Sequence, residues 1–273
     1  MALSAFAETS PAVINRPVVN MFSKPSADAS VVSQAIFGTN VQVLEDQPQW
    51  LKIRTPDDYT GWIEAGGALK RDVYAVAGSV ASVSNLFGSV YRETSITKHP
   101  PMFTLPFEAR MEVLAEPDTE ERRWIKVRLP DMREAWIQRG DVLLNPKQIT
   151  REEMLTISKR FAGLPYFWGG TSTYGYDCSG FTQMLYRQTG VTLPRDARPQ
   201  AEWSGVKTIA QDELQPGDLL FFGESEEKIT HTGMYIGNGE FIHATAHDHP
   251  VIQVSQLADP HWTKLLVATR RVK

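Results

Sequence analysis

The chain of 273 residues contains one cysteine, Cys178, within the run Tyr-Asp-Cys-Ser-Gly-Phe that ends at Phe181. Two histidines in strand-like settings follow it, His231 and His243. A cysteine attacks a carbonyl carbon as its thiolate, which requires a base to take the proton and a third group to orient that base. One cysteine followed by histidines is a typical order for a thiol hydrolase. The alternative for Cys178 alone is a buried structural thiol.

Cys178 is predicted to lie in the first turn of a helix. Phe181, Met184 and Leu185 recur at three-and-four spacing, and Gly190 is a C-terminal stop signal. The positive end of a helix dipole stabilises a thiolate, and first-turn N–H groups stabilise the oxyanion of acyl transfer. This position therefore favours Cys178 as the nucleophile.

The two histidines are predicted to lie on neighbouring strands. Alternation places His231, Gly233 and Tyr235 on one face of the first strand, and residues 237–239 form a Gly-Asn-Gly turn. His243 then lies on the returning strand, where one imidazole can orient the other. We expect His231 to be the base and His243 the orienting residue.

A metal site is the competing interpretation of the histidines. Five groups form a loose cluster in the sequence: His243, His247, Asp248, His249 and His261. Pro250 argues against a helix there, and no Glu stands at the spacing of zinc proteases. We expect no metal and no cofactor.

Composition excludes several classes of partner. The net charge is −4, hydrophobic residues make up 42%, and no basic stripe indicates nucleic-acid binding. No apolar stretch approaches the ~20 residues of a membrane helix. The first eight residues lack the positive region of a signal peptide, which favours a cytoplasmic protein; export with a signal already removed is the alternative. The oligomeric state stays open.

The N-terminal half contains an internal repeat. Trp50 and Trp62 are twelve residues apart, as are Trp124 and Trp136, and the copies are offset by 74 residues. Short alternating segments such as Trp50–Arg54 predict small β-barrels, two in tandem. A Thr-x-x-Glu helix start at Thr150 then opens an α+β segment. The predicted domains are 1–72, 73–147 and 148–273.

The segment of about residues 150–270 resembles the NlpC-type family of cell-wall cysteine peptidases. The resemblance rests on six motifs in the family's order: Pro165-Tyr166-x-Trp168-Gly169-Gly170, Asp177-Cys178-Ser179-Gly180-Phe181, Leu193-Pro194-Arg195-Asp196, Leu214-x-Pro216-Gly217-Asp218-Leu219-x-Phe221-Phe222, His231-x-Gly233-x-Tyr235-Ile236-Gly237 and Ile242-His243-Ala244. It implies a papain-like core with Cys178 as nucleophile, His231 as base and His243 as third residue. It also implies cleavage after γ-linked D-glutamate, with a diamino acid on the leaving side.

The repeated units resemble bacterial SH3-like domains. The pattern is clear in the first copy, from Gly38 to Ile63, and weaker in the second, where Arg133-Glu134-Ala135 replaces Tyr-x-Gly. Two such barrels before this core resemble γ-D-glutamyl-L-diamino acid endopeptidases of murein peptide recycling. That subgroup implies a substrate such as L-Ala-γ-D-Glu-diamino acid, with a free N-terminal L-Ala.

The same resemblance implies a set of substrate-binding residues. Tyr166, Asp177 and Ser179 match positions that hold the L-Ala and D-Glu end, and Trp168 and Asp196 match cleft positions. A free amine pairs well with a carboxylate such as Asp177. Tyr59 is the expected contribution of the first barrel.

Two departures from the family's pattern bear on this set. Ala197 stands where a serine is common, and Ser30 stands where an acidic residue is often found. If that acid helps to hold the substrate amine, we expect Glu45, Asp46 or Asp57 to take its place here.

Three other functions fit parts of the sequence. A hydrolase of intact, glycan-linked peptidoglycan would use the same catalytic residues. A non-catalytic wall-binding protein would use the barrels alone, but it has no need of Cys178, His231 and His243 together. An amidase or acyltransferase on the same core would differ in its products.

Overall fold

The computed structural model describes residues 9–115 and 122–273, which fall into two units, Met1–Pro146 and Lys147–Lys273. Within these described ranges, no helix has both the length and the apolar character that crossing a bilayer would require. Each unit is built around its own sheets.

The first seven strands form one antiparallel sheet with the order β3-β2-β6-β5-β4-β1-β7. Their bounds are β1 Ser10–Ile14, β2 Val18–Phe22, β3 Val31–Ile36, β4 Asn40–Asp46, β5 Trp50–Arg54, β6 Thr60–Glu64 and β7 Ala68–Lys70.

The next seven strands repeat this arrangement. Their order, β10-β9-β13-β12-β11-β8-β14, is that of the first sheet with every strand number raised by seven. The bounds are β8 Val80–Val83, β9 Phe87–Tyr91, β10 Phe103–Pro106, β11 Arg110–Ala115, β12 Trp124–Arg128, β13 Glu134–Gln138 and β14 Val142–Leu144. The internal sequence repeat is therefore a structural repeat.

Side-chain alternation in these strands follows the predicted pattern. In β5, Leu51 and Ile53 are buried in the core of the first sheet, whereas Arg54 is exposed. The tryptophans pack within the fold: Trp62 and Trp124 are buried, and Trp50 makes an edge-to-face contact with Phe22. Burial of the apolar face stabilises each sheet.

The second unit combines a six-stranded antiparallel sheet with four helices. The sheet order is β17-β22-β18-β19-β20-β21, and β15 and β16 form a separate hairpin. The strands are β15 Thr171–Ser172, β16 Gly175–Tyr176, β17 Val206–Thr208, β18 Leu219–Gly223, β19 Ile229–Gly237, β20 Glu240–Thr245, β21 Val251–Gln256 and β22 Leu266–Val272. The helices are α1 Arg151–Ser158, α2 Cys178–Gln188, α3 Ala197–Glu202 and α4 Pro260–Leu265.

Local sequence signals set the ends of these elements. The predicted capping box is present at α1: Thr150 Oγ1 accepts from the Glu153 N–H at 3.2 Å, and a Glu153 carboxylate oxygen accepts from the Thr150 N–H at 2.8 Å. Helix α2 begins at Cys178 as expected and is followed by Gly190, whose φ of +85° suits a glycine. The turn between β19 and β20 places Asn238 at a φ of +54°.

Candidate active site

Cys178 is the first residue of α2 and is 8% exposed. Asp177 caps the helix, because its Oδ1 atom accepts from the Gly180 N–H at 2.7 Å. Gly180 lies against the preceding loop so closely that a Cβ there would approach the carbonyl oxygen of Gly170 to 2.2 Å. The glycine lets α2 begin against that loop, and this fixes the position of the thiol.

A buried arginine holds the capping carboxylate. The two terminal nitrogens of Arg195 donate to the two oxygens of Asp177 at 3.0 and 2.6 Å, and the Gly169 N–H donates to Oδ2 at 3.0 Å. The Ser179 hydroxyl donates to Asp177 at 3.3 Å and accepts from Arg195 at 3.0 Å. Arg195 is 3% exposed. This ion pair ties the segment before α3 to the start of α2, a role that the sequence analysis did not assign.

The two histidines of β19 and β20 are joined directly. His231 Nε2 lies 2.7 Å from His243 Nδ1. Because Nε2 is engaged, Nδ1 is the His231 nitrogen left to exchange a proton with Cys178. The backbone N–H of Thr232, the next residue, donates to the Cys178 sulfur. These contacts bring the three expected catalytic residues into one site.

Gly233 provides the space for this pair. A Cβ at Gly233 would lie 3.0 Å from the Cβ of His243 and 2.9 Å from Cδ2 of Phe241. Both distances are shorter than ordinary packing allows, so a larger residue would displace the His243 ring. These short distances explain why residue 233, two positions after His231, is a glycine.

The ring of Trp262 packs against both histidines. It stacks on His231 with centroids 5.3 Å apart at 28°, and meets His243 edge-on at 4.8 Å and 87°. An indole face attracts an imidazolium, and the Trp262 ring is itself buried beside the two histidines. The Asp259-Pro260 helix start was readable in the sequence, but the strand face against which α4 packs was not.

The substrate-free site favours neutral groups. Burial, and then the Asp177 carboxylate, raise the pKa of the Cys178 thiol to about 12, against the opposing effects of the Thr232 and Ser179 N–H groups and Arg195. Burial, and then His261, lower the pKa of His231. The N–H group at the helix start lowers the pKa of the thiol, as expected, but burial and Asp177 outweigh it. A thiolate at Cys178 and an imidazolium at His231 are therefore both disfavoured in this site.

Three of the expected substrate-binding residues lie close to the thiol. Tyr166 is half-buried, and burial followed by the charges of Cys178 and Asp177 raises the pKa of its phenol. The hydroxyl therefore stays protonated as a donor near the reacting atoms. Ser179 and Asp177 bond to each other and to Arg195. A substrate amine at Asp177 would compete with contacts that the carboxylate already makes.

The other expected residues are spread more widely. Trp168 is 69% exposed on the loop before β15. Asp196 is exposed at the residue that precedes α3. Tyr59 belongs to the first unit, where it packs against the core of the first sheet. Its binding role remains a prediction.

The structure also describes the two positions at which the sequence departs from the family's pattern. Ala197 is buried at the first residue of α3, and Ser30 is exposed before β3. Of the expected substitutes, Glu45 forms an ion pair with Lys52 at 2.8 Å, and Asp46 pairs with Lys70.

Two of the other histidines, His247 and His261, stack on each other. The rings of His247 and His261 lie parallel, with centroids 3.7 Å apart at 4°. Across residues 9–115 and 122–273, no group of three His, Cys, Asp or Glu side chains is placed to hold a metal ion.

Removal of the orienting imidazole is expected to leave weak residual activity. In His243→Ala, the His231 ring loses its partner at Nε2 and no longer holds one tautomer, so kcat should fall by about 10²- to 10⁴-fold. The measurement is kcat for peptide hydrolysis, with the exposed His249→Ala as the matched control. An unchanged rate in His243→Ala would remove this residue from the catalytic set.

The buried imidazole should also make stability depend on pH. Burial, then the neighbouring His231 and His247, hold the pKa of His243 well below its usual 6.5. Below about pH 6.5 the unfolded chain binds a proton that the folded protein does not. The free energy of unfolding should therefore decrease by about 1 kcal/mol for each unit by which the pH is lowered. Urea unfolding of His243→Gln at pH 7.5 and 5 should show less of this dependence, and the exposed His249→Gln should keep it. Identical pH dependence in all three proteins would contradict the assignment.

Comparisons with known protein families agree with the division of the chain. The NlpC/P60 family matches residues 163–271, and the bacterial SH3 domain matches residues 17–69.

Similar proteins extend over both units. A gamma-D-glutamyl-L-lysine dipeptidyl-peptidase of Bacillus cereus is 30% identical over 260 residues, covering 88% of this chain and 74% of that protein. One of the same name from Bacillus subtilis is 29% identical over 255 residues, covering 89% and 82%. The crystal structure of an NlpC/P60 family protein from Bacillus cereus superposes with a TM-score of 0.85 at 24% identity, covering 96% of this chain and 99% of that one. Because the two sequences are only 24% identical, this similarity shows only that the two proteins share a fold.

Proposed function

Because the chain belongs to the NlpC/P60 family of cysteine peptidases, we propose that it hydrolyses the γ-D-Glu–diamino acid bond of peptidoglycan stem peptides. The observation that carries the mechanism is the 2.7 Å bond between His231 Nε2 and His243 Nδ1. It leaves His231 Nδ1 as the proton acceptor on the strand whose Thr232 N–H contacts the Cys178 sulfur. The proposal therefore assigns Cys178 as nucleophile, His231 as base and His243 as orienting residue.

The reaction is acyl transfer in two steps. His231 takes the proton of Cys178 as the sulfur attacks the γ-carbonyl carbon of D-Glu. The carbonyl oxygen becomes an oxyanion, which first-turn N–H groups of α2 stabilise. Since the Gly180 N–H is engaged by Asp177 and the Ser179 N–H by the Cys178 sulfur, this role falls first to the N–H group of Cys178. His231 then gives its proton to the departing amine, and water hydrolyses the thioester.

The finer architecture proposed is two SH3-like barrels, residues 1–72 and 73–147, before a papain-like α+β domain, residues 148–273. The identical strand orders of the two seven-stranded sheets support a second barrel equivalent to the one matched at residues 17–69. Helix α2 with the thiol at its start, opposite an antiparallel sheet that carries the histidines, supports the papain-like assignment.

We further propose that the substrate has a free N-terminal L-Ala. A dipeptidyl-peptidase releases two residues from a free N-terminus, and the two relatives with that name match 88% and 89% of this chain, a span that includes both units. Tyr166, Asp177 and Ser179 would hold the dipeptide end, with Trp168 and Asp196 lining the cleft. The relatives' names specify L-lysine; for this chain, L-lysine and meso-diaminopimelate are both candidates.

Defined peptides test this proposal. The protein is incubated with L-Ala-γ-D-Glu-meso-diaminopimelate, with its L-Lys counterpart, and with the N-acetylated form of each; mass spectrometry identifies the products. Release of L-Ala-γ-D-Glu and the free diamino acid from unblocked peptides alone is the expected result. Cys178→Ala is the negative control.

Other outcomes point to the alternatives. Equal cleavage of blocked and unblocked peptides, with release of peptides from purified sacculi, would indicate an enzyme of the intact wall. No cleavage of any peptide would contradict the proposed activity and favour wall binding through the barrels. A bond broken elsewhere in the peptide would indicate an amidase.

A further inference from the structure

The hydrogen-bonded chain of the active site continues beyond His243. The second ring nitrogen of His243, Nε2, lies 3.0 Å from the hydroxyl oxygen of Ser255 on β21. Resting on the catalytic roles proposed above, we propose that Ser255 is a positioning residue that holds His243 in the tautomer required for His231 to act as the base.

Strand register explains how this serine reaches the site. Strand β21 is the edge strand of its sheet, and it pairs with β20 so that Phe241 faces Ser255 and His243 faces Gln253. Because alternate residues of a strand share a face, Ser255 lies on the same face as His243 and diagonal to it. Its hydroxyl therefore meets the outer edge of the His243 ring, while the inner edge meets His231.

The direction of the bonds follows from the chemistry of a neutral imidazole, which has one donor nitrogen and one acceptor nitrogen. His231 must present a lone pair at Nδ1 to take the thiol proton, so its own proton is on Nε2 and is donated to His243 Nδ1. His243 Nδ1 is then the acceptor, and its proton is on Nε2. Ser255 Oγ accepts that proton's hydrogen bond.

Burial makes this last bond important. His243 is 0% exposed, so without Ser255 its Nε2–H would be a buried donor with no partner among the bonds described. An unpaired buried donor is costly, and the protein could avoid it by moving the proton to Nδ1. Nδ1–H would then oppose Nε2–H of His231 and drive that ring to the tautomer that cannot accept at Nδ1. Ser255 is half-buried, so it can accept from His243 while its own proton points elsewhere.

No proton passes to Ser255 in this scheme. When His231 becomes an imidazolium, its Nε2–H still donates to His243, and the His243–Ser255 bond persists through the reaction. The serine therefore acts on kcat through His231, with no contact to substrate required.

The test uses three variants of β21. Ser255→Ala should lower kcat by about 5- to 50-fold with KM unchanged, the loss expected for one buried hydrogen bond. Ser255→Thr keeps the hydroxyl on a residue that suits a strand, and should restore most of kcat. Gln253 lies on β21, as Ser255 does, and pairs directly with His243 of β20. The variant Gln253→Ala therefore controls for disturbance of the edge strand and should keep the wild-type kcat.

A spectroscopic readout separates this proposal from the proposed function. Two-bond ¹H–¹⁵N correlation spectra report which ring nitrogen of each histidine carries the proton, whether or not a substrate is known. Wild-type protein should show Nε2–H for both His231 and His243, and Ser255→Ala should show a mixture at His243. An unchanged tautomer in Ser255→Ala, or a kcat loss that Ser255→Thr does not restore, would overturn the role of Ser255. Absence of hydrolysis by the wild-type protein would count against the proposed function, and the tautomers would still decide on Ser255.

Discussion

Replacing Cys178 with alanine is expected to lower the rate of peptide hydrolysis by at least about 10⁴-fold while leaving the protein folded. The change removes the atom that forms the thioester, and no other residue at the start of α2 carries a thiol. Because the side chain is small and lies at a helix start, the expected loss of stability is only about 1 kcal/mol. Turnover of the unblocked tripeptide and a thermal unfolding curve measure both quantities.

Because the chain has a single cysteine, thiol-specific reagents give a second test of the nucleophile. Any effect of a thiol-specific alkylating reagent on the wild-type protein must act through Cys178. Alkylation of one site per chain should abolish turnover, and Cys178→Ala should take up no reagent. Cys178→Ser keeps an oxygen in place of the sulfur and should also be inactive, since a hydroxyl is a much weaker nucleophile here. A near wild-type rate in Cys178→Ala would refute the assigned nucleophile.

Replacing Arg195 with methionine is expected to lower the free energy of unfolding by about 3–5 kcal/mol. The guanidinium is 3% exposed and bonds both oxygens of Asp177, so its loss leaves a buried carboxylate without its counter-charge. The N–H groups of Gly169 and Gly180 would remain as its partners. Activity should fall as well, because Asp177 caps the helix that presents the thiol.

Arg198→Met is the matched control for this substitution. Arg198 forms an ion pair with Glu202 on α3, but both side chains are about half exposed to solvent. An exposed pair contributes little, so this variant should unfold almost as the wild type does. Combining Arg195→Met with Asp177→Asn, which keeps an N-cap but removes the charge, should cost less than the two single changes together. Equal stability of the two arginine variants would contradict the inferred role of the buried pair.

Local patterns were sufficient to predict the elements that present the catalytic groups. The capping box at Thr150, the helix start at Cys178 and the turn at Asn238 depend on neighbouring residues only, and all three are present. The pairing of His231 with His243 followed from two strands and a short turn. The alternation of Leu51 and Ile53 likewise predicted the buried face of β5.

The partners that complete the site depend on distant parts of the chain. Arg195 reaches Asp177 from 18 residues away, and Trp262 reaches His231 from a helix beyond the last strand of the hairpin. Ser255 meets His243 only because the register of β21 places it diagonally across. Nothing in the local sequence fixes these contacts, since they follow from how helices and strands pack.

The protonation state of the Cys178 thiol could not be predicted from the sequence either. A helix start favours a thiolate, and the Ser179 N–H does act in that direction. The burial of Cys178 and its proximity to Asp177 are consequences of tertiary packing, and their combined effect on the pKa of the thiol is larger.

We propose that Cys178 carries the acyl group during turnover. The direct test is to mix the protein with the unblocked tripeptide, quench with acid within the first turnovers, and locate any added mass by peptide mass spectrometry. We predict an L-Ala-γ-D-Glu acyl group on the peptide that contains Cys178, absent from Cys178→Ala. Continued hydrolysis by Cys178→Ala, or the acyl group on another residue, would contradict the mechanism.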